Sequence, residues 1–228
     1  MRYSSSKISM RAIKRLPKYY RLSNDLLSQG IKNISSDKLA NLIDFSASQI
    51  RQDLRGLGQR SGYDLLELHT FLEKRLCLKR TYTCILIGAG NIGHSLAKHE
   101  QFIKEGFILK GIFDNDPLKI NTYLGSSRLK VKAIRELDHF MATNEIDICI
   151  LCTPSATAQS VTNILVKSGI KGILNFSTTD LIVPNNIIVE NVNIENSFLT
   201  LTFHLKNNKT IERNNFLLPE YNEKNNIL

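Results

Sequence analysis

Residues 85–93, Ile85-Leu-Ile-Gly-Ala-Gly-Asn-Ile-Gly93, decide the fold of this chain, because an apolar run enters a G-x-G-x-x-G turn there. The β-favouring residues begin at Cys84, and residues 91–98 have the composition of a helix. A strand, a glycine-rich turn and a helix in this order are the context that a dinucleotide-binding fingerprint requires. The stretch therefore predicts an α/β nucleotide-binding domain.

Each glycine of the motif has a physical role in such a site. Gly88 permits the sharp turn, Gly90 lets the backbone approach a pyrophosphate, and Gly93 lets the helix pack closely on the strand. The pyrophosphate would lie on the backbone amides at the helix N-terminus. The predicted cofactor-binding residues of the turn are Gly88, Ala89, Gly90, Asn91, Ile92 and Gly93. The alternative is a glycine turn that binds no ligand.

Two further segments belong to the predicted site. The strand at residues 107–113 ends at Asp114, whose carboxylate can accept both ribose hydroxyls of NAD and would repel a 2′-phosphate. No Arg follows in residues 115–117, so NAD(H) is favoured over NADP(H). Ligands of open α/β sheets bind at the carboxyl ends of strands. We therefore also assign Thr153, Pro154 and Ser155, which follow a later strand, to the cofactor site.

Strands and helices alternate through the rest of this region. Further strands are predicted at residues 129–131, 147–153 and 172–176, and further helices at residues 134–143 and 154–168. The alternation predicts a parallel sheet with helices on both faces. Residues 193–205 form an amphipathic helix whose apolar face has little local partner, so we expect it to cross to another subunit.

Positive charge is concentrated in the first 80 residues. Residues 1–80 contain 16 Lys and Arg against 7 Asp and Glu, whereas residues 81–228 contain 14 of each sign. Such asymmetry is typical of a domain that binds phosphates. The alternative is a solvated basic surface without a partner.

The basic segment has the pattern of a helix-turn-helix. Pro17 is placed to begin a helix at residues 18–28, a second helix follows Ser36, and a third spans about residues 47–57. An S-x-x-Q capping box from Ser46 opens the third helix. That helix would enter the major groove, where Arg reads guanine and Gln reads adenine. The predicted DNA-binding residues are Ser48, Gln49, Arg51, Gln52, Arg55 and Arg60; the alternative is an unrelated three-helix bundle.

The domain organisation follows from these patterns. Gly-rich residues 56–62 predict a small wing lying along the DNA backbone, and a capped helix from Asp64 to about Cys77 precedes a linker at residues 78–81. We predict a winged-helix DNA-binding domain at residues 1–80, a Rossmann NAD(H)-binding domain at 81–192, a dimerisation helix at 193–206 and a mobile tail at 207–228.

Other residue types argue against several classes of protein. Cys149 and Cys152 have C-x-x-C spacing, but on a strand they point to opposite faces, which favours free thiols over a metal site or a disulfide. None of the five histidines follows a sheet strand on the cofactor side, so we expect no catalytic residues and no metal. The sequence has no apolar run of about 18 residues and no signal-peptide pattern, so we expect a soluble, cytoplasmic protein without a membrane segment.

Taken together, these residues resemble the Rex family of redox-sensing transcriptional repressors. The resemblance spans about residues 8–206 and rests on Arg15-Leu-Pro-Lys-Tyr-Tyr-Arg21, Gln49-Ile-Arg-Gln-Asp-Leu54, residues 87–93, Phe113-Asp-Asn-Asp-Pro117 and Gly169-Ile-Lys-Gly-Ile-Leu-Asn-Phe176. It implies a homodimer on a palindromic operator, with winged-helix heads and a C-terminal helix swapped between NAD-binding domains. It also implies that NADH releases the DNA, whereas NAD⁺ permits binding.

The chain departs from the family pattern at positions that the resemblance links to signalling between head and nucleotide domain. His99 stands where the family often has Tyr, and Asn193 stands where it often has Asp; the third signalling position is Arg21. The wing is also shorter, and Ser177-Thr-Thr179 replaces a proline-containing turn. One alternative is therefore a divergent paralogue with an altered DNA or NADH response. Another is an NAD-dependent oxidoreductase with an appended helical domain.

Overall fold

The computed structural model of the chain describes residues 9–43, 45–55, 62–99, 106–125 and 128–207. Contacts divide the chain into two compact units, Met1–Cys84 with His99–Lys110 and Ile85–Lys98 with Gly111–Leu228. Residues 56–61 of the predicted wing and the predicted mobile tail from residue 208 onward lie outside the described residues.

The first unit consists mainly of helices around one apolar core. Its elements are α1 (Met10–Ser28), β1 (Asn33–Ile34), α2 (Ser36–Ile43), α3 (Ala47–Asp53), β2 (Tyr63–Asp64) and α4 (Leu65–Arg75). β1 pairs antiparallel with β2, which joins the two ends of the α2–α3 segment. The predicted cap of α4 is confirmed, because the Asp64 side chain accepts a hydrogen bond from the Glu67 amide at 2.9 Å.

The first helix is longer than the sequence pattern predicts. It begins at Met10 rather than at Lys18, and the side chain of Ser9 caps it by accepting a hydrogen bond from the Ala12 amide at 3.2 Å. Pro17 therefore lies inside the helix, where a proline usually costs about 3 kcal/mol. Ala12 is buried, so the apolar face continues before the proline and stabilises the earlier turns. The prediction was wrong because it weighed the local proline signal without this tertiary burial.

The third helix is shorter than predicted. It ends at Asp53 rather than near Leu57, and the Arg55 amide bonds to the Gln52 carbonyl at 3.3 Å in a tightened last turn. Leu54 is 2% exposed and anchors this end in the core. The apolar spacing beyond Asp53 resembles helix periodicity, which is why the sequence alone extended the helix too far.

The described residues from 82 onward form an α/β sheet with its helices, most of which lies in the second unit. The elements from residue 82 onward are β3 (Tyr82–Ile87), α5 (Asn91–Ala97), β4 (Phe107–Asp114), β5 (Tyr123–Leu124), β6 (Leu129–Ala133), a 3₁₀ turn (Ile134–Glu136), α6 (Leu137–Thr143), β7 (Ile148–Leu151), α7 (Ser155–Lys167), β8 (Gly172–Asn175), β9 (Ile188–Asn191) and α8 (Ile194–Asn207). Within the described ranges the strand order is β5-β6-β4-β3-β7-β8-β9. This is the doubly wound order, with a reversal between β3 and β7.

The predicted parallel sheet is confirmed in the registered pairs. β4 pairs with β6, β7 with β8 and β8 with β9, all in parallel, whereas the two-residue β5 pairs antiparallel with β6. β5 and β9 were not predicted, because β5 is very short and β9 is an edge strand with little burial. The helix predicted at residues 134–143 is a 3₁₀ turn followed by α6.

The first unit holds one buried carboxylate among its described residues, at Asp53. Arg15 donates to both of its oxygens, from Nε at 2.6 Å and from Nη2 at 2.7 Å. The Tyr19 hydroxyl donates to Oδ2 at 2.8 Å, and the Gln49 side-chain amide donates to Oδ1 at 3.0 Å. Burial would raise the pKa of Asp53, but these hydrogen bonds outweigh burial and hold the pKa below its usual value. An ionised carboxylate therefore ties α1 to the last residue of α3.

We expect Asp53→Asn to lower the free energy of unfolding by about 3 kcal/mol at neutral pH, because Arg15 would lose its buried counter-charge. A depressed folded-state pKa stabilises the protein above the unfolded pKa of about 3.9, and this contribution is lost as the pH falls through the folded-state pKa. The difference between the two proteins should therefore shrink below about pH 4. Urea denaturation at neutral and acid pH measures both quantities.

The matched control is Asp25→Asn, which removes an exposed carboxylate from α1. It should change the free energy of unfolding by less than about 0.5 kcal/mol. Equal stabilities of Asp53→Asn and the unaltered protein at neutral pH would contradict the prediction.

Candidate functional site

The glycine-rich turn after β3 is a close contact between three backbone segments. Gly88 has φ +99°, a left-handed conformation that glycine adopts at little cost. A Cβ at Gly88 would overlap the backbone carbonyl of Cys152, and a Cβ at Gly93 would overlap the carbonyl of Gly88. A Cβ at Gly90 would meet no described atom within 4 Å. Gly88 and Gly93 therefore let β3, α5 and the end of β7 approach each other, whereas Gly90 borders open space.

Helix α5 begins directly at this turn. Gly90 is its N-cap, and no side chain caps its first turn in the described structure. Ala89 is half-buried, and Asn91 and Ile92 are exposed at this end. Backbone amides of an uncapped first turn are donors for an anion such as pyrophosphate. The predicted residues of the turn therefore border the open space next to Gly90.

Asp114 ends β4 beside the turn and is 6% exposed. Its Oδ2 accepts a hydrogen bond from the Ala89 amide at 2.7 Å, and its Oδ1 accepts one from the Asp116 amide at 2.9 Å. Burial would raise the pKa of Asp114, but these two bonds and the nearby Lys119 ammonium outweigh burial and hold the pKa below its usual value. Asp114 is therefore an ionised acceptor at the carboxyl end of its strand.

Lys119 was not among the predicted site residues. Its Nζ lies 3.4 Å from Oδ2 of Asp114 and 3.5 Å from Oδ2 of Asp116. It places a positive charge where the sequence argument for NAD(H) had considered only arginine. The signal that could have found it is a cation five residues after the strand-ending acid, within reach of the same carboxylate.

Thr153 follows β7 on the other side of the turn. Its Oγ1 is buried and has no hydrogen-bond partner among the described residues. Pro154 is the N-cap of α7, and the hydroxyl of Ser155 lies 2.6 Å from the hydroxyl of Thr178. A buried hydroxyl without a partner costs about 1–3 kcal/mol. Thr153 is therefore a group whose hydrogen bond a bound ligand would complete.

These residues fit the predicted dinucleotide. The open side of the glycine turn suits a pyrophosphate, the ionised Asp114 suits ribose hydroxyls, and the unpartnered hydroxyl of Thr153 suits a polar group of the ligand. All of them lie at the carboxyl ends of β3, β4 and β7, where open α/β sheets bind ligands.

In the first unit, α3 has one polar face and one buried face. The exposed residues share one side because their spacing is three or four, and they are Ser48, Arg51, Gln52 and Arg55, the last in the turn beyond the helix. Ile50 and Leu54 pack into the core on the opposite side. Arg51 Nη1 donates to the Ser36 hydroxyl at 2.9 Å, which holds the guanidinium at the start of α2.

Gln49, also predicted to contact a base, is half-buried. Its backbone amide donates to the Ser46 hydroxyl at 3.2 Å, which confirms one half of the predicted capping box. Its side chain binds Asp53 instead of returning to the Ser46 backbone, because a bond to an ionised carboxylate is stronger. This bond lies within α3, and the contacts of Asp53 with α1 come from Arg15 and Tyr19. Arg60 lies outside the described residues.

Helix α1 also holds the turn between α2 and α3, which sequence reasoning missed. Lys18 Nζ donates to the Ile43 carbonyl at 2.9 Å and lies 4.8 Å from the ring centre of Phe45. An ammonium over an aromatic face is attracted to it. The available sequence signal for this network was the i, i+4 spacing of Gln49 and Asp53; the partners from α1 are more than 20 residues away along the chain.

The three predicted signalling residues lie on different elements and not all in the same unit. Arg21 is exposed on α1, and His99 is exposed after α5; both belong to the first unit. Asn193 belongs to the second unit, and its side-chain oxygen accepts a hydrogen bond from the Asn196 amide at 3.0 Å, which caps α8. Asn and Asp are about equally good N-caps, so the departure from Asp preserves this local role.

Cys149 and Cys152 are not joined by a disulfide, and burial raises the pKa of Cys152 to about 12. The described ranges contain no His, Cys, Asp and Glu group that could hold a metal ion. No helix within these ranges combines the length and the apolar character needed to cross a bilayer.

Comparison with known proteins matches both units. A family model for a DNA-binding protein N-terminus matches residues 7–54, and a model described as a CoA binding domain matches residues 79–179. Two curated relatives are both named redox-sensing transcriptional repressor Rex. The one from Clostridioides difficile strain 630 is 46% identical over 89% of this chain and 97% of its own length. The one from Caldanaerobacter subterraneus subsp. tengcongensis is 43% identical over 90% of this chain and 93% of its own length.

Solved structures give the same result. The crystal structure of RSP, a Rex-family repressor, has a TM-score of 0.82 and 42% identity and covers 89% of this chain and 95% of that one. RSP in complex with β-NAD⁺ and operator DNA has a TM-score of 0.82 and 42% identity, and the match covers 89% of this chain and 94% of that one. RSP in complex with β-NADH has a TM-score of 0.81 and 42% identity, and the match covers 89% of this chain and 96% of that one. Since both the sequence and the α/β architecture match over nearly the whole of these proteins, the chain belongs to the Rex family.

Proposed function

We propose that this protein is a redox-sensing transcriptional repressor that binds operator DNA as a homodimer and releases it when NADH binds. The observation that carries the proposal is the glycine turn opposite the unpartnered hydroxyl of Thr153, in a chain whose first 80 residues hold its whole excess of positive charge. The relatives are named repressors, and RSP was solved with operator DNA, NAD⁺ and NADH. Such a role is exercised in the cytoplasm.

The nucleotide would be held by the residues at the carboxyl edge of the sheet. These are Gly88, Ala89, Gly90, Asn91, Ile92, Gly93, Asp114, Thr153, Pro154 and Ser155. Asp114 is the acceptor for the ribose, and its ionised state is supported by backbone amides that do not depend on the ligand. The cofactor class is therefore NAD(H), bound as an effector rather than as a reactant.

The DNA would be contacted by the exposed face of α3. Arg51, Gln52 and Arg55 supply the groups that recognise base edges and phosphates, with Ser48 at the helix start. Gln49 stays a predicted DNA contact; its side chain supports the Asp53 carboxylate within α3. Arg60 remains a predicted backbone contact from the wing.

A second copy of the chain would cover α8. The apolar side chains of this helix are each more than half exposed, and they are Ile194, Phe198, Leu199, Leu201, Phe203 and Leu205. Contiguous exposed apolar groups on this scale mark an interaction surface. We propose that α8 crosses to the nucleotide-binding domain of the partner, and that Arg21, His99 and Asn193 take part in signalling between that domain and the DNA-binding head.

The switch follows from differential binding. NADH can change DNA affinity only if it binds the DNA-releasing form of the dimer more tightly than the DNA-binding form. The oxidoreductase alternative is disfavoured because the relatives that cover almost the whole chain are named repressors. A divergent paralogue with an altered response remains the second candidate, motivated by His99 and Asn193.

The central experiment measures DNA binding at several redox ratios. Fluorescence anisotropy with a palindromic duplex selected from a random pool should show tight binding in NAD⁺ and at least about fivefold weaker binding in NADH, the lower end of usual allosteric coupling. Equal DNA affinity in the two nucleotides, with both nucleotides bound, would favour the divergent paralogue. Failure to bind either nucleotide would refute the proposal.

The hydroxyl of Thr153 provides a test of the nucleotide site. Thr153→Val removes a buried group that lacks a protein partner, so it should leave the melting temperature unchanged or raise it. The same change should weaken NADH binding about fivefold, the value of one hydrogen bond, in isothermal titration.

Thr162→Val is its matched control. The Thr162 hydroxyl is buried but donates to the Ala158 carbonyl at 2.8 Å, so its loss should lower the melting temperature and leave NADH affinity intact. The assignment of Thr153 fails if Thr153→Val destabilises the protein and binds NADH normally.

The polar face of α3 provides a test of the DNA contact. Arg51→Ala should weaken operator binding at least about fivefold, because one good arginine contact with a base contributes about 1–3 kcal/mol. Arg135→Ala removes an equally exposed arginine from the second unit and should have little effect. Anisotropy titrations at two salt concentrations separate loss of base recognition from loss of general charge. Unchanged binding by Arg51→Ala would contradict the assigned surface.

A further inference from the structure

The hydroxyls of Ser155 and Thr178 connect the start of α7, at the carboxyl edge of the sheet, to the loop after β8. Ser155, the first residue of α7, lies two positions after the unpartnered Thr153, and its Oγ is 2.6 Å from Oγ1 of Thr178. The Thr179 hydroxyl donates to the Ser155 backbone carbonyl at 3.3 Å. The loop at residues 177–179 is therefore attached to the start of α7, next to the place where we assign the nucleotide.

The same loop is also bonded to Asn175, the last residue of β8, which is 1% exposed. Its Nδ2 donates to the Thr179 carbonyl at 2.9 Å and to Oδ1 of Asn191 at 2.8 Å. Its Oδ1 accepts from the Ser177 amide at 3.0 Å and from the Ser177 hydroxyl at 2.7 Å. Both donors and both acceptor positions of the amide are thus used. A buried amide with all its bonds made holds its neighbours in one arrangement.

The network ends at the entrance to α8. Asn191 is the last residue of β9, and the Val192 amide donates to the Asn175 backbone carbonyl at 2.8 Å. Asn193 follows and caps α8 through the Asn196 amide. Hydrogen bonds and the short backbone segments between them, all within the second unit, therefore lead from Ser155 to the first turn of α8.

We propose that Thr178 and Asn191 are positioning residues that transmit the state of the nucleotide site to α8. The proposal rests on the proposed function, because it needs a nucleotide at Thr153 and Ser155 and a subunit contact at α8. A ligand oxygen that accepts a hydrogen bond from the Ser155 hydroxyl competes with Thr178 for the single proton of that hydroxyl. Loss or gain of the Ser155–Thr178 bond changes how firmly the loop at residues 177–179 is held. Asn175 bonds both to this loop and to Asn191, so it links the loop to the segment before α8. The nucleotide site, through Ser155, and the start of α8, through Asn191, therefore both act on the loop at residues 177–179. Two sites are coupled when both shift the equilibrium of one shared element.

Two exposed positions allow the network to be cut without opening the core. Thr178→Val removes the hydroxyl that contacts Ser155 and keeps the side-chain shape. Asn191→Ala removes the acceptor used by Asn175 at the other end. Thr178→Ser restores a hydroxyl and serves as the conservative rescue. Thr143→Val is the matched control, because Thr143 is exposed in the same unit and its hydroxyl bonds only within its own helix end, to His139, Phe140 and Asn144.

The measured quantity is the coupling factor, the ratio of operator dissociation constants with and without saturating NADH. NADH affinity of the DNA-free protein is measured in parallel by isothermal titration. We expect Thr178→Val and Asn191→Ala each to reduce the coupling factor about fivefold, the value of one hydrogen bond, without weakening NADH binding. Thr178→Val should strengthen NADH binding, because it removes the competitor for the Ser155 proton. Thr178→Ser and Thr143→Val should retain the coupling of the unaltered protein.

The double variant distinguishes transmission from two separate effects on stability. If both bonds act in series, Thr178→Val combined with Asn191→Ala should show the same coupling factor as either single variant, whereas independent effects would multiply. Multiplying effects, an unchanged coupling factor, or a loss of NADH affinity equal to the loss of coupling would each overturn the proposal. Absence of any NADH effect in the unaltered protein would instead refute the proposed function, so the two failures are distinguishable.

Discussion

The close backbone approach at Gly88 and Gly93 is the constraint on which the second unit depends. Because neither position has room for a Cβ, β3, the first turn of α5 and the end of β7 meet at one place. This contact lies where the strand order reverses, between β3 and β7, and it leaves the space before Gly90 open. A cleft at such a reversal is what an open α/β sheet offers a ligand. Asp114 ends β4 and Thr153 follows β7, the strands on either side of β3, so the carboxylate and the hydroxyl both lie at the sheet edge where this contact leaves room for a ligand.

The two units use the same electrostatic device for different purposes. In each, a buried carboxylate is kept ionised by hydrogen bonds and a cation that outweigh the cost of burial. Both oxygens of Asp53 are occupied by groups of the protein: Arg15 and Tyr19 of α1 fix α3 against α1, and Gln49 bonds from within α3. Asp114 is held by backbone amides at the end of a strand, an arrangement that orients the carboxylate beside a cleft. Asp53 therefore fixes α3, whereas Asp114 presents ionised acceptor oxygens beside the glycine turn.

Local signals predicted the elements well where the local and tertiary requirements agreed. The glycine turn, the strand that ends at Asp114 and the cap at Asp64 were found because each depends on residues close in sequence. The start of α1 was missed because burial of Ala12 overrides Pro17, and the end of α3 was missed because apolar spacing continues after the helix has stopped. The side chain of Gln49 was assigned to DNA because its partner Asp53 is buried only in the folded protein.

The sequence by itself determined the class of each unit: a basic helix-turn-helix segment followed by a dinucleotide fingerprint in alternating strands and helices. Periodicity, glycine positions and charge are properties of short segments, so they can be read without coordinates. Only the tertiary structure decided which polar groups are already used and which still lack a partner. Thr153 and Thr178 are both threonines after a strand, yet one hydroxyl is buried without a partner and the other is bonded to Ser155. That difference arises from contacts between segments far apart in the chain, which local patterns do not encode.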